Sequence, residues 1–288
     1  MFKGSFVAIV TPFKNGRLDE ESLRKLVQMH ITNGTSGIVP CGTTGESATL
    51  SPEEHKRVIE IVISETAKKI PVIAGTGSNN TKEAIEYTRH AYDAGADAAL
   101  VITPYYNKPT QEGLYYHYKT IANEVPVPIV IYNVPGRTGV SIEPETVARL
   151  SELSNIVAIK EASGQMDQIS KIMSLCGITV LSGDDSMTMP IMAIGGRGVI
   201  SVIANIVPAD MKELTSAMEE GDIESARELH YKLFDLCKVM FIETNPIPIK
   251  TAMAMKGMIE EEFRLPLVSP TEKSRSLIKR QLEQYGLL

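Results

Sequence analysis

The 288-residue chain has no tryptophan, only six phenylalanines and three cysteines. Cys41, Cys176 and Cys237 are odd in number and widely spaced, with no C-x-x-C pair. That excludes a disulfide framework and a cysteine zinc site, and it fits a reducing compartment. No apolar run approaches the ~18 residues a membrane span needs. Acids and bases are interspersed at a net charge of -6. There is therefore no basic stripe for nucleic acid and no cationic cluster beside an amphipathic helix for a membrane surface. Met1-Phe2-Lys3-Gly4 runs straight into the first apolar stretch, so no leader peptide and a cytoplasmic location are expected.

What is present is ordinary globular material, 43% hydrophobic and 22% charged, enough for a large core. Val/Ile-rich runs recur at 6–13, 37–41, 71–75, 98–103, 128–133, 156–160, 179–182 and 198–205. They are apolar throughout rather than alternating, the mark of parallel strands covered on both faces. Between them lie helical patterns at 20–32, 52–67, 82–94, 111–123, 144–153, 165–175 and 186–194. Ser51-Pro52-Glu53-Glu54 supplies a cap, a first-turn proline and acids at the positive end of the dipole. Eight such units predict an α/β protein, a (β/α)8 TIM barrel, over residues 1–222. No G-x-G-x-x-G follows the first strand, which argues against a dinucleotide-binding doubly wound sheet. From Pro208 to Gly286 the pattern reads as helical, broken at Asn245-Pro246-Ile247-Pro248. Residues 223–288 are thus expected to form a C-terminal helical extension packed on the barrel.

In such a barrel chemistry sits at the C-terminal ends of the strands. Those ends carry Thr11, Gly42-Thr43-Thr44-Gly45-Glu46, Thr76, Thr103 to Asn107, Tyr132-Asn133, Lys160-Glu161, Gly183-Asp184-Asp185 and Ser201 to Asn205. They are rich in hydroxyls and contain no histidine. His30, His55, His90, His117 and His230 all fall in predicted helices, where they are expected on the surface and not as ligands, so no metal site is expected. Asp184-Asp185 alone is a thin Mg²⁺ site. Gly195-Gly196-Arg197-Gly198 precedes the last strand, the wrong end for substrate, and reads as a tight turn. The glycine-flanked turn Gly42–Gly45 exposes backbone N–H groups at a strand end and is a candidate carboxylate cradle.

Lys160 ends the apolar run Val157-Ala158-Ile159, although an ammonium is costly to bury. Two readings stand. It pairs with Glu161 or Asp184, or it is a Schiff-base lysine whose neutral amine, favoured by a low-dielectric site, attacks a carbonyl. The second needs a proton shuttle. Tyr132, on the neighbouring strand, is placed for that, with the hydroxyls of Thr44 and Tyr106 as relays.

The stretches GTTGES (42–47), TPYYNKPTQEGLYYHY (103–118), YNVPGRTG (132–139), IKEASG (159–164), LSGDD (181–185), GVISVIAN (198–205) and NPIPIK (245–250) span nearly the whole chain. Together they resemble the dihydrodipicolinate synthase family, within the Schiff-base (class I) pyruvate aldolase and N-acetylneuraminate lyase superfamily. The resemblance implies a lyase of lysine biosynthesis that joins pyruvate to L-aspartate-4-semialdehyde, without a cofactor, through an imine on Lys160. It implies Tyr132, Thr44 and Tyr106 as the proton relay, Tyr106 being lent by a neighbouring subunit of a homotetramer. Thr43 and Thr44 would hold the pyruvate carboxylate, and the backbone of Gly183 and Ile200 would line the lysine pocket. Arg137 would grip the second carboxylate, where neuraminate lyases typically lack an arginine; the alternative is an ion pair with Glu143 or Glu145. A 2-keto-3-deoxy-sugar-acid aldolase is the competing enzyme, and a carboxylate-binding barrel is the competing non-enzyme. In lysine-inhibited members a further pocket binds L-lysine, and Ser47, Ala48, His55, Asn79, Glu83 and Tyr105 match it. Pro52 departs from that pattern, since some inhibited members carry histidine there.

Overall fold

The computed structural model describes residues 2–288. Eight parallel strands form one sheet: β1 (Gly4–Ala8), β2 (Gly37–Val39), β3 (Ile73–Gly75), β4 (Ala98–Ile102), β5 (Ile129–Asn133), β6 (Ile156–Glu161), β7 (Thr179–Ser182) and β8 (Gly198–Ser201). Each pairs with its neighbour in sequence, and β8 returns to β1 with Gly4 opposite Gly198. A single parallel bridge between Ile38 and Val72 closes the circle. The helices between the strands are α1 (Glu20–Thr32), α2 (Pro52–Thr66), α3 (Thr81–Ala94), α4 (Gln111–Glu124), α5 (Pro144–Ser151), α6 (Met166–Leu175), α7 (Thr188–Ala193) and α8 (Pro208–Glu220). The extension adds α9 (Ile223–Val239), α10 (Ile247–Met255) and α11 (Glu272–Tyr285).

The continuous apolar runs follow from this packing. Side chains of alternate parity fill either the barrel's interior or the layer beneath the helices. Phe6, Ile73, Leu100, Val130, Ala158, Leu181 and Ile200 form the inner cluster. Val101, Ile131, Ile159 and Val180 belong to the outer one. The extension shares a core with the barrel: Leu233, Met240, Ile249, Ile278 and Leu282 lie in one cluster with Val7, Val58 and Val199. Each Å² of apolar surface removed from water in that shared layer favours the docked tail by about 25 cal/mol.

Several predicted boundaries are corrected. The first run ends at Ala8 rather than Phe13. Phe13–Lys14 instead pairs antiparallel with Arg17–Leu18 across Asn15-Gly16, both at positive φ, as a two-residue hairpin turn requires. The last strand ends at Ser201, and Ile203–Asn205 is a 3-10 turn. Here side chains take over the backbone donors, because Asp185 Oδ2 accepts from the N–H of Val202 and Ile203, and Ser201 Oγ accepts from that of Ala204. The pattern expected at 186–194 is a 3-10 turn at Asp185–Met187 followed by α7. The tail is not helical throughout. Between α10 and α11 the chain is irregular, with Gly257 at φ +69° and prolines at 266 and 270 that cannot donate to a helix. His30, His55 and His117 lie on helices as expected, but they are buried against the barrel and not on the surface.

Candidate active site

The puzzle posed by Lys160 resolves through strand parity. Ala158 points into the barrel and Ile159 out of it, so Lys160 points in at the mouth while Glu161 points out. Glu161 accepts from Asn133 Nδ2 at 3.0 and 3.2 Å, from the N–H of Ser163 at 2.7 Å and from Gln168 Nε2 at 3.3 Å. Its carboxylate is satisfied behind the strand. Lys160 is 5% exposed, and its Nζ lies 4.2 Å from the centroid of the Tyr132 ring, on the register partner of β5. Among the described residues no carboxylate pairs with Lys160, and the ion pairs with Glu161 or Asp184 do not form. Gly183 makes room for this lysine. A Cβ there would lie 2.6 Å from Ala162 Cβ and 3.1 Å from Lys160 Cε.

A cavity of about 120 Å³ opens above Lys160, lined by Thr43, Thr44, Tyr132, Arg137, Gly183, Asp184, Val202 and Asn245 among others. The turn after β2 contributes its floor. The N–H of Gly45 and of Glu46 bond back to the carbonyls of Gly42 and Thr43. Among the described residues nothing accepts from the N–H of Thr43 or of Thr44, which leaves two free donors beside Lys160 for an anion. Glu46 anchors this turn with φ +51°. Its carboxylate meets Lys250 Nζ at 2.5 Å, with both side chains fully buried, and accepts from the N–H of Arg264. Burial pushes Lys250 below the ordinary lysine range, and the attraction of Glu46 opposes that shift.

Arg137 rides on a one-turn helix, Pro135–Thr138, at the rim, and donates from Nη2 to the carbonyl of Asn245 at 3.1 Å. It has no ion pair with Glu143 or Glu145. Ile200 is buried in the inner cluster and does not line the cavity, where Val202 does. Tyr106 is 89% exposed at φ +71° and stays outside its own chain's cavity. A second, outer cavity of about 620 Å³ is lined by Ser47, Ala48, His55, Glu83 and Tyr105, and it shares Thr43, Arg137 and Asn245 with the inner one. Asn79 does not line it, but its Nδ2 donates to the Tyr105 carbonyl. His55 stacks on Tyr87 at 4.3 Å, and burial lowers it to about 4. Asp185, behind the mouth, is raised to about 6 by burial. Among the described residues no three metal-ligating side chains converge.

Asn245 is the residue that sequence reasoning missed. Its Nδ2 donates to Thr44 Oγ1 at 3.0 Å from 201 positions away. The only signal was its place in the NPIPIK stretch, which names no role.

The family model described as the dihydrodipicolinate synthetase family matches residues 1–285. A 4-hydroxy-tetrahydrodipicolinate synthase of Syntrophus aciditrophicus is 60% identical over the full length of both chains. The chloride-inhibited dihydrodipicolinate synthase of Acinetobacter baumannii, solved with pyruvate, superposes with a TM-score of 0.98 at 49% identity, covering all of both chains. The enzyme of Cyanidioschyzon merolae, solved with lysine bound, does so at 0.97 and 38% identity, covering 100% of this chain and 99% of that one. With the family model matching nearly the whole chain and relatives of this identity covered end to end, the chain belongs to the dihydrodipicolinate synthetase family.

Proposed function

We propose that the chain condenses pyruvate with L-aspartate-4-semialdehyde to give 4-hydroxy-tetrahydrodipicolinate and water, the reaction for which its relatives are named, in the biosynthesis of lysine. The observation that carries this reading is the buried Lys160 amine, without a carboxylate partner, facing two free N–H donors in one small cavity. The Nζ lone pair attacks the ketone carbon of pyruvate, and loss of water leaves an imine. A methyl proton departs and its C–H electrons form the enamine, with the imine nitrogen as electron sink. The enamine carbon then bonds to the aldehyde carbon of the semialdehyde, whose oxygen takes a proton. The amino group of that substrate displaces Lys160 at the imine carbon, which closes the ring and frees the enzyme.

Tyr132 carries the protons, in contact with Lys160, and Thr44 relays them. Tyr106, exposed on its own chain, completes the relay in a neighbouring copy within a homotetramer built as a dimer of dimers. The free N–H groups of Thr43 and Thr44 take the pyruvate carboxylate, and Gly183 borders the Lys160 pocket, with Val202 in the place expected of Ile200. Arg137 at the rim takes the second carboxylate through its paired donors. No cofactor enters.

The experiment is an intact mass after incubation with pyruvate and borohydride. Wild type should gain about 72 Da at Lys160, a reduced imine, and Lys160→Ala should gain nothing. An unmodified wild type overturns the reading.

A regulatory reading rests on the outer cavity. L-lysine binds there, its amines against Glu83 and its carboxylate near Tyr105 and Asn79, with Ser47, Ala48 and His55 around it. Occupancy reaches catalysis through Arg137 and Asn245, which both cavities share. Saturating lysine should lower initial rates in wild type but not in Glu83→Ala, and unchanged wild-type rates overturn this reading.

A further inference from the structure

Asn245 touches the proposed site at two points, one in the relay and one at the rim. Its side-chain N–H donates to the Thr44 hydroxyl at 3.0 Å, and its backbone carbonyl accepts from Arg137 at 3.1 Å. It is 5% exposed, and its Oδ1 has no hydrogen-bond partner among the described residues. A hydroxyl has one hydrogen to donate and two lone pairs to accept with. Because Asn245 fills a lone pair of Thr44, the Thr44 hydrogen remains free, and among the described residues none accepts it. The cavity shared with Tyr132 and Lys160 is where Thr44 is left to donate.

We infer that Asn245 is a positioning residue: its amide sets the direction in which Thr44 donates, while its main chain seats Arg137. The inference rests on the Lys160 imine reading and adds the group that polarises the relay. An aspartate at this position has the same shape but cannot donate. It would accept the Thr44 hydrogen and turn it away from the cavity.

The test is a double-mutant cycle of Asn245→Asp and Thr44→Val in the full-length enzyme, read by kcat, by KM for each substrate and by borohydride trapping of pyruvate. Asn245→Asp should lower kcat about 10²-fold, the scale of one misdirected proton transfer, with trapping at Lys160 retained. KM for the semialdehyde should change little, because the carbonyl that holds Arg137 is backbone. In the Thr44→Val background the same substitution should cost almost nothing more, since both act through one hydroxyl. Equal losses in both backgrounds, or a single variant within about threefold of wild type, would overturn the inference while the imine reading stands. A wild type that traps no pyruvate would overturn the imine reading first and this inference with it. If Asn245→Asp fails to fold, Asn245→Ala runs the same cycle with the same expected non-additivity.

Discussion

Lys160 and Tyr132 sit opposite each other in the register of adjacent strands, with the ammonium nitrogen 4.2 Å from the ring centroid. The Tyr132 ring face, and no carboxylate, stands beside the lysine. It holds the amine without tying it into an ion pair, and it places the phenol of the proposed relay against the atom that must gain and lose protons.

The space for that arrangement depends on Gly183. Because a Cβ there meets Lys160 Cε at 3.1 Å and Ala162 Cβ at 2.6 Å, Gly183→Ala should displace the lysine stem. Overpacking of this kind costs about 1–3 kcal/mol. An ångström of misplacement should lower kcat on the order of 10²-fold. Urea unfolding and the rate of pyruvate trapping measure the two effects. A variant that traps pyruvate at the wild-type rate would show that the stem has room to spare.

Removing Lys250 strands its partner. Lys250→Met leaves the Glu46 carboxylate buried without its cation, a change that costs about 3–5 kcal/mol. Adding Glu46→Gln should recover much of that loss, because the uncompensated charge is gone. The check is the urea midpoint of both variants, and a single variant within about 1 kcal/mol of wild type contradicts the prediction.

Acid should weaken the fold well before ordinary carboxylates titrate. Burial holds His55 and His117 at about 4 and His30 at about 3, against 6.5 for a free imidazole. Below pH 6.5 the unfolded chain binds protons that the folded one refuses, so this stability is complete above pH 6.5 and is lost as pH falls toward 4. Asp185 acts with the opposite sign. Raised to about 6, it takes its proton in the folded state first and offsets one histidine between pH 6 and 4. The net difference is about two protons, or about 3 kcal/mol per pH unit near pH 5. Urea titrations from pH 7.5 to 4.5 should show that slope, reduced by one proton in His117→Asn, and a flat wild-type profile would refute it.

Tyr106 predicts complementation between defective subunits. Lys160→Ala and Tyr106→Phe should each be poorly active, yet a co-refolded equal mixture should regain roughly a quarter of wild-type activity, since one site in each mixed dimer is intact under two-fold symmetry. Mixtures no better than the mean of the two parents would place Tyr106 outside the relay.

Much of this molecule is legible from its residues. The eight strands, most helix starts and the inward Lys160 follow from apolar runs, caps and strand parity, which are local in sequence. The hairpin at Asn15-Gly16 was equally local, since an Asn-Gly pair between extended residues signals one, but its first residue, Phe13, closes the apolar run that reads as the first strand. The end of β8 was not legible. The donors of Val202 and Ile203 are taken by Asp185, and no periodicity reveals a carboxylate 17 and 18 positions upstream. The burial of His55 and His117 was hidden because a helical pattern does not say which polar residue faces the barrel. Asn245 was hidden most completely: its partners are Thr44 and Arg137, 201 and 108 positions away.

The same distance in sequence governs the contact between Lys250 and Glu46, which are 204 positions apart. In a chain emerging from the ribosome, β2 and the Thr43–Thr44 turn appear early, while the cation that neutralises Glu46 emerges only after all eight strands have been made. All eight strands are therefore synthesised before the Thr43–Thr44 turn can be anchored. Competence arrives when α10 docks, so a truncation that removes α10 should leave strands that pair and a turn that cannot hold its shape.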